Sequence, residues 1–212
     1  MMQLPRGRHG LSREYIAEHQ RARLFAAVAV VLDEKGYAGT TVSAIAGEAG
    51  ISKSDFYNQF DSKDDCFLAA YGAAVERLRA EVLVAGGTRD SWAEAVCAGL
   101  EAGLAALSAA PAEANLLLVE GLCAGPDICT RFRRGVEGFV AQIRRGAPAR
   151  AAAGGALAPV DEAVVGGVAS LVGRRVLAGE GGRLDRLFPE LAEFALSPYL
   201  GVAEARRIIS AG

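Results

Sequence analysis

The stretch TTVSAIAGEAGISKSDFYNQFDSK, residues 40–63, decides the fold of the N-terminal part of this chain. Its apolar residues fall into two short runs at helical spacing, and Gly50 separates them. A tight turn after a helix requires a residue that tolerates positive φ, which glycine does. Small Ala46 lets the two helices cross closely. The stretch therefore predicts a helix-turn-helix, a motif whose second helix lies in the major groove of DNA while the first crosses the backbone.

The ends and inner faces of the two short helices agree with this prediction. Thr40 or Thr41 can cap the first helix, and Ser52 can cap the second. Asp55, three residues after Ser52, completes a capping box. The inward-facing positions are expected to be Ile45, Ala46, Ile51, Phe56 and Phe60.

The polar residues on the outer face form a candidate DNA-binding surface. Lys53, Ser54 and Asn58 can reach base edges, and asparagine offers the paired donor and acceptor suited to adenine. The hydroxyl of Tyr57 can bond a phosphate oxygen, and Lys63, in the first turn of the next helix, adds a cation. An ordinary helical hairpin would explain any one of these residues. A plain hairpin explains less well why the turn, the caps, the core spacing and the polar face are all those of a helix-turn-helix.

Residues 24–68 resemble the DNA-binding domain of the TetR (tetracycline repressor) family of transcriptional regulators. The motifs that carry the resemblance are Lys35-Gly36-Tyr37, Thr40-Thr41-Val42, Ile45-Ala46, Ala49-Gly50-Ile51-Ser52, Phe56-Tyr57, Phe60 and Ser62-Lys63. The resemblance implies a homodimeric repressor that a small-molecule effector releases from a palindromic operator. It also implies that the residues at the operator are Thr41, Ser43, Lys53, Ser54, Tyr57, Asn58 and Lys63.

Two positions depart from the pattern of that family. Asp55 stands where a small or hydroxyl residue is usual, and because a carboxylate repels phosphates we assign it to capping. Asn58 stands where an aromatic residue or histidine is common, so the base preference cannot be carried over. Whether DNA binding represses or activates, the operator sequence, the regulated genes and the effector stay open.

Helical spacing continues through the rest of the chain, and no segment alternates with the period of a strand. We therefore predict an all-α protein with a three-helix helix-turn-helix domain and a basic arm at residues 1–66. A larger helical bundle domain, to which the resemblance assigns effector binding and dimerisation, follows at residues 67–212. The boundary falls near Cys66, inside a fourth helix that begins at Ser62. A loop is expected at residues 146–158, and a kink or restart at Ser197-Pro198.

The apolar helix at residues 159–178 is a candidate dimer interface. Apolar residues lie on more than one of its faces, so it must be covered on two sides, and its small residues allow close helix approach. With the last helical stretch it could build a symmetric four-helix interface. The alternative is a helix wholly buried within one subunit. The interface residues predicted are Val164, Val168, Leu171, Val172, Leu191 and Phe194.

The helices at residues 91–145 are expected to enclose a cavity for a largely apolar effector. The lining residues predicted are Trp92, Leu100, Leu104, Leu117, Glu120, Cys123, Phe132 and Phe139. For Glu120 a solvent-facing or salt-bridged carboxylate is the alternative, and for the aromatic residues it is ordinary core packing. Cys97, Cys123 and Cys129 could sense oxidants, although inert buried thiols are more common.

The net charge is −2, but residues 1–23 carry five arginines against two glutamates. Arg6, Arg8, Arg13, Arg21 and Arg23 could form a phosphate-contacting arm, and a solvated terminus is the alternative.

Catalytic, metal and cofactor motifs are absent from the sequence. The two histidines, His9 and His19, both lie in the arm, and no Cys/His cluster has zinc spacing. No run of apolar residues is long enough to span a membrane. We therefore expect a cytoplasmic, non-enzymatic protein with no cofactor, no metal and no membrane partner. The competing hypothesis is an all-helical small-molecule-binding protein or enzyme without operator binding.

Overall fold

The computed structural model describes the backbone of residues 13–87, 89–120, 126–148 and 158–211 and the side chains of residues 18–87, 89–120, 130–148 and 159–211. Within these ranges every regular element is helical, so the predicted all-α class is confirmed. The first four helices are α1 (Arg13–Gly39), α2 (Val42–Ala49), α3 (Lys53–Tyr57) and α4 (Lys63–Gly86). The next six are α5 (Trp92–Ala109), α6 (Pro111–Asn115), α7 (Pro126–Arg144), α8 (Ala158–Leu177), α9 (Phe188–Leu200) and α10 (Val202–Ala211).

Two short segments have a helical geometry other than α, one wider and one tighter. A π-helical turn, Leu116–Glu120, continues α6, and a 3-10 turn, Gly181–Leu187, precedes α9. Most of the predicted loop at residues 146–158 lies outside the described residues.

The first three helices pack around an apolar centre. Leu24 and Val28 of α1, Ile45 of α2 and Phe56 of α3 each have 0% exposed area. The first helix breaks at Gly36, where φ is 64° and ψ is 171°, after which the chain forms one further turn up to residue 39. Glycine reaches this backbone conformation without a Cβ clash.

The fourth helix joins the first three helices to the rest of the chain. Its N-cap, Ser62, accepts a hydrogen bond from the Asp65 N–H at 3.0 Å. The Asp65 carboxylate accepts from the Asp61 N–H at 3.3 Å, so it does not return a hydrogen bond to Ser62 as in a full capping box. Cys66 and Tyr71 of α4 belong to one apolar core that also contains Leu191 of α9. The core is continuous across the predicted domain boundary.

The C-terminal helices differ from the sequence prediction at one point. Pro198 lies inside α9, and the chain turns only at Gly201, where φ is 82°. Proline holds φ near the helical value, so the helix continues through it, although Pro198 lacks the N–H that would otherwise bond the carbonyl of Phe194. Among the described residues no single helix is long and apolar enough to cross a membrane, although α5 and the Pro111–Glu120 segment, bent by 110°, pass that test as a pair.

Candidate nucleic-acid interface and ligand cavity

The turn between α2 and α3 has the geometry of a helix-turn-helix. Gly50 adopts φ 62° and ψ 39°, and its N–H bonds the carbonyls of Ala46 and Gly47. Ser52 accepts a hydrogen bond from the Asp55 N–H at 3.0 Å, and the Asp55 carboxylate accepts from the Ser52 N–H at 3.3 Å. Asp55 is therefore a capping residue, as its departure from the family pattern suggested. The cap fixes the start of α3 relative to the turn.

The outer face of α2 and α3 carries polar side chains in solvent. Six of the seven predicted DNA-contacting residues are exposed, namely Thr41, Ser43, Lys53, Ser54, Tyr57 and Asn58. Tyr57 is 56% exposed, and its ring packs edge-on against the buried ring of Phe56, with centroids 5.5 Å apart. The phenol is therefore held in place by the core while its hydroxyl stays in water.

Lys63, the seventh of these residues, is half-buried and engaged within the chain. Its ammonium donates a hydrogen bond to the Tyr37 carbonyl at 3.1 Å and lies 4.3 Å from the centroid of the Tyr37 ring. The Tyr37 hydroxyl donates to Asp64 at 2.6 Å. Burial first, and then the Asp64 carboxylate, raise the pKa of Tyr37 to about 12. The cation of Lys63 is thus fixed beside the end of α1.

The described part of the arginine arm also contacts the protein. The Arg23 guanidinium donates to the carbonyls of Ala49 and Gly50, at the turn before α3. Arg21 lies over the ring of Phe60, 4.8 Å from its centroid. These two arginines support the helix-turn-helix instead of extending freely from it. Arg6 and Arg8, and the side chain of Arg13, lie outside the described residues.

A second contact joins the end of α1 to the π turn. The Glu120 carboxylate accepts a hydrogen bond from the Tyr37 N–H at 2.9 Å. The same carboxylate lies 3.9 Å from the position that a Cβ on Gly36 would occupy. The Tyr71 hydroxyl of α4 donates to the Leu117 carbonyl at 3.4 Å. The π turn is therefore bonded to both α1 and α4.

A cavity of about 370 Å³ lies between α4, α5, α7 and α8. Valine, leucine and glycine residues form most of its wall. Gly99 and Gly103 of α5 face Val82 of α4, and a Cβ on either glycine would lie 3.0 or 3.1 Å from that valine. The two glycines therefore let α4 and α5 approach closely along one side of the cavity. The volume is within the range of small-molecule sites.

Four of the eight predicted lining residues lie at this cavity: Trp92, Leu100, Leu104 and Phe139. Leu117 is buried in the main core, and Phe132 is half-buried and packs against that core. Glu120 points instead to Tyr37, so its placement at the cavity is corrected. Cys123 lies outside the described residues.

The cavity wall also contains polar residues that the sequence did not single out. Gln142 and Arg145 line it near the end of α7, and Leu118 of the π turn contributes an apolar side chain. Gln142 belongs to an amphipathic helix with no local mark of a binding residue. One sequence feature could have indicated this side of the cavity. Gly99 and Gly103 lie four residues apart, so they share one face of α5 and leave it without side chains, which allows a neighbouring helix to approach closely.

The cysteines whose environment is described are held as thiols. Burial, followed by the charge of Asp65, raises the pKa of Cys66 to about 12. Burial, followed by Glu101 and Glu94, also raises the pKa of Cys97. Because the thiolate is the reactive form, both shifts disfavour reaction with oxidants. The environments of Cys123 and Cys129 lie outside the described residues.

Three predicted interface residues are buried within the chain. Val164 and Val172 of α8 are each 2% exposed, and Leu191 of α9 is 3% exposed. Val164, Val168 and Val172 line the cavity. The structure therefore differs from the prediction for these three residues, because the β-branched face of α8 turns toward the cavity and Leu191 belongs to the main core.

The opposite face of α8 is open. Phe194 of α9 is 40% exposed, and its ring covers Gly167, where a Cβ would approach to 2.7 Å. Gly166 has no atom within 4 Å of the Cβ position, and Leu177 is 70% exposed. Val168 and Leu171 are half-buried between the two faces. The outer surface formed by Gly166, Gly167, Ser170, Leu177 and Phe194 is called the α8–α9 surface below.

Residues 24–70 match the family model described as bacterial regulatory proteins, tetR family. This segment contains most of α1, all of α2 and α3, and the first part of α4. No curated protein matches the sequence.

Solved structures of regulators share the fold. The transcriptional regulator FadR from Bacillus subtilis, in complex with stearoyl-CoA, has a TM-score of 0.72 at 15% identity over 85% of this chain and 98% of that one. A TetR family transcription regulator from Marinobacter aquaeolei VT8 has a TM-score of 0.70 at 16% identity over 87% and 97%. The fatty acid degradation regulator FadR from Bacillus halodurans has a TM-score of 0.69 at 16% identity over 86% and 96%. The TM-scores establish a shared fold, and the match over residues 24–70 identifies the kind of N-terminal domain.

Proposed function

We propose that this chain, a tetR-family regulator by its N-terminal domain and its fold, binds operator DNA as a homodimer and responds to a small-molecule ligand. The observation that carries the proposal is the set of exposed polar residues on α2 and α3, which a buried core and two caps hold in one arrangement. A surface that is fixed before binding loses little conformational freedom on DNA. The runner-up, a ligand-binding protein or enzyme without operator binding, does not account for this surface.

The proposed roles follow from the chemistry of each side chain. Lys53 and Asn58 read base edges, and the Tyr57 hydroxyl donates to a phosphate oxygen. Lys63 contributes positive charge near the DNA while it stays bonded to the Tyr37 carbonyl. One short helix reads few bases, so two copies related by a two-fold axis would read half-sites about 34 Å apart.

We assign dimerisation to the α8–α9 surface. Support comes from its exposed apolar residues, Phe194 and Leu177, and from the open space over Gly166. Small residues let a partner helix approach closely, and an aromatic side chain at the centre supplies the apolar area of an interface. The boundary between the DNA-binding part and this effector and dimer part is kept near Cys66.

We assign ligand binding to the 370 Å³ cavity. Its walls are apolar, which suits a ligand with a long or bulky apolar part. The neighbour from Bacillus subtilis was solved with stearoyl-CoA, a molecule of this general character. Because α4 forms part of the cavity wall, an occupant would contact the same helix that carries Lys63 in its first turn.

The π turn offers a physical route from the cavity to the DNA-binding surface. Leu118 lies in the cavity wall, and two residues later Glu120 bonds the Tyr37 N–H at the end of α1. Tyr37 in turn holds the ammonium of Lys63. A ligand that binds better when the π turn has shifted would change the position of α1 and α4. Only this difference in affinity between two states can drive release from DNA.

Selection from a random duplex library tests the DNA-binding part of the proposal. The full chain is expected to enrich a palindrome, and fluorescence anisotropy on that sequence should show salt-dependent binding. A chain that enriches no sequence and binds duplex DNA without preference would contradict operator binding and favour the runner-up.

A further inference from the structure

We propose that the cavity takes an amphipathic acid that carries a hydroxyl or another hydrogen-bond donor between its apolar body and its anionic group. The inference rests on the proposed function only in treating the cavity as a ligand site. It is argued from the two polar side chains of the wall, Gln142 and Arg145.

Gln142 provides the first observation. Its Oε1 atom is buried and has no hydrogen-bond partner in the described part of the chain. A buried acceptor without a partner is destabilising, since it has lost its water without gaining a donor. Gln142 lines the cavity, so a turn of its amide would bring the carbonyl to a donor on a bound molecule, which would supply the missing bond.

Arg145 provides the second observation. Among the described residues that line the cavity it is the one charged residue, and none of them is a carboxylate. Its neighbour Arg144 is bonded to Asp161, which also accepts from the Tyr199 hydroxyl. No ion pair of Arg145 occurs among the described residues. A guanidinium in this position favours an anionic group on the ligand and disfavours a cationic one.

The two groups also set the order of features along the ligand. Gln142 and Arg145 are three residues apart, and the backbone N–H of Arg145 donates to the backbone carbonyl of Gln142 at 3.1 Å. Gln142 is half-buried, whereas Arg145 is exposed. The remaining wall is apolar. This order of exposure favours an acid with its carboxylate toward solvent, its donor next, and its hydrocarbon against the apolar wall.

Trp92 makes the inference measurable. It is the single tryptophan of the chain and lines the cavity. Its indole Nε1 donates to the Ile143 carbonyl at 2.8 Å, between Gln142 and Arg145 in sequence. Occupancy of the cavity near these residues should change the emission of this one fluorophore.

Three probes separate the features of the ligand: 3-hydroxydodecanoic acid, dodecanoic acid and methyl dodecanoate. Each is titrated into the full chain below its micelle concentration, with Trp92 emission and the melting temperature as readouts. The hydroxy acid is expected to bind about tenfold tighter than the plain acid, because it satisfies the Gln142 carbonyl. The methyl ester is expected to bind about tenfold more weakly than the plain acid, because it lacks the charge.

Variants assign these differences to residues. Gln142→Leu should abolish the advantage of the hydroxyl, and Arg145→Gln should weaken both acids about tenfold while leaving the ester unchanged. Arg133→Gln is the matched control, since Arg133 lies on the same helix and pairs with Glu137 at the surface. Equal affinity of acid and ester, or unaltered acid binding by Arg145→Gln, would overturn the inference, and so would no response to any probe.

The library selection described above separates failure of this inference from failure of the proposed function. A chain that selects a palindrome but binds no acid retains its regulatory function and refutes the ligand class. A chain that binds the hydroxy acid as expected but selects no DNA retains the ligand class and refutes operator binding.

Discussion

The carboxylate of Glu120 accepts a hydrogen bond from the backbone N–H of Tyr37 at 2.9 Å, across 83 residues of sequence. Tyr37 directly follows the break in α1 at Gly36, and its carbonyl accepts from Lys63 at 3.1 Å. One peptide segment therefore connects the π turn to the start of α4. Because Leu118 of the same turn lines the cavity, this segment is where ligand occupancy and DNA contact meet in the proposed function.

Replacing Glu120 is expected to uncouple ligand and DNA. Glu120→Ala leaves the Tyr37 N–H without its acceptor, which should lower the free energy of unfolding by about 1–3 kcal/mol. Ligand-induced release from DNA should weaken severalfold, measured as the ratio of DNA dissociation constants with and without ligand. Glu120→Gln keeps an acceptor oxygen and should retain most of the coupling.

Glu113→Ala is the control for this experiment. Glu113 lies on α6, just before the π turn, and its carboxylate pairs with Arg77 at 2.7 Å. It removes an exposed ion pair and leaves the contact with α1 intact. If Glu120→Ala and Glu113→Ala changed the ratio of dissociation constants equally, the route through Tyr37 would be refuted.

The DNA-binding surface yields a contrast between two neighbouring residues. Tyr57→Phe removes a hydroxyl that donates to phosphate, so binding should weaken about tenfold on every sequence. Asn58→Ala removes a base contact, so the preference at one position of each half-site should fall by about 1–3 kcal/mol. Anisotropy titrations on the selected palindrome and its single-base variants measure both effects.

Arg183→Gln is the control for a polar substitution outside the DNA-binding surface. Arg183 is exposed in the 3-10 turn, which packs on α5 and α9. It should leave affinity and base preference unchanged. Sequence preference that survives Asn58→Ala at all positions would show that this side chain does not read a base.

The features that sequence reasoning predicted well are local. Gly50 and the Ser52–Asp55 cap are determined by residues within three or four positions of one another, so the pattern specifies the turn directly. The face of α8 could not be predicted in the same way, because that helix is apolar on several sides. Which side meets the cavity depends on how α5 and α7 pack, so Val164 and Val172 were assigned to a partner chain and lie instead within this one.

The role of Glu120 shows the same limit for polar residues. A carboxylate in an apolar run suggested a polar group of the cavity, but the widened π turn directs it to the end of α1. Neither the π turn nor a contact over 83 residues leaves a local pattern. Gln142 was overlooked for a related reason, since an unpaired carbonyl becomes visible only when its surroundings are known.

Burial of Cys66 predicts a dependence of stability on alkaline pH. Its pKa is raised from 9.0 to about 12 in the folded chain, so the unfolded chain releases this proton first. The stabilisation is complete below pH 9 and is lost as the pH rises toward 12. At pH 10 the loss from this group should be about 1.4 kcal/mol, because one pKa unit corresponds to that free energy.

Urea unfolding at pH 7, 9 and 10 measures this effect. Cys66→Ala removes the titrating thiol and should flatten the decline between pH 9 and 10. Cys97→Ala is the control, since Cys97 is less buried and its pKa is raised to a smaller extent. The same slope in the wild-type chain and in Cys66→Ala would assign the alkaline loss to other groups.

Phe194 is expected to determine whether the chain dimerises. Its ring is 40% exposed on the α8–α9 surface and rests on Gly167. A carboxylate at this point would be desolvated without a partner in the interface, so Phe194→Asp should weaken the dimer at least a hundredfold. Val84→Asp is the matched control, because Val84 is 73% exposed on α4, outside this surface. Sedimentation velocity should show Phe194→Asp as a monomer and Val84→Asp as a dimer.

Because a monomer presents a single recognition helix, Phe194→Asp should also lose preference for the full palindrome over one half-site. A Phe194→Asp chain that sediments as a dimer and still prefers the palindrome would place the interface on another face of the molecule.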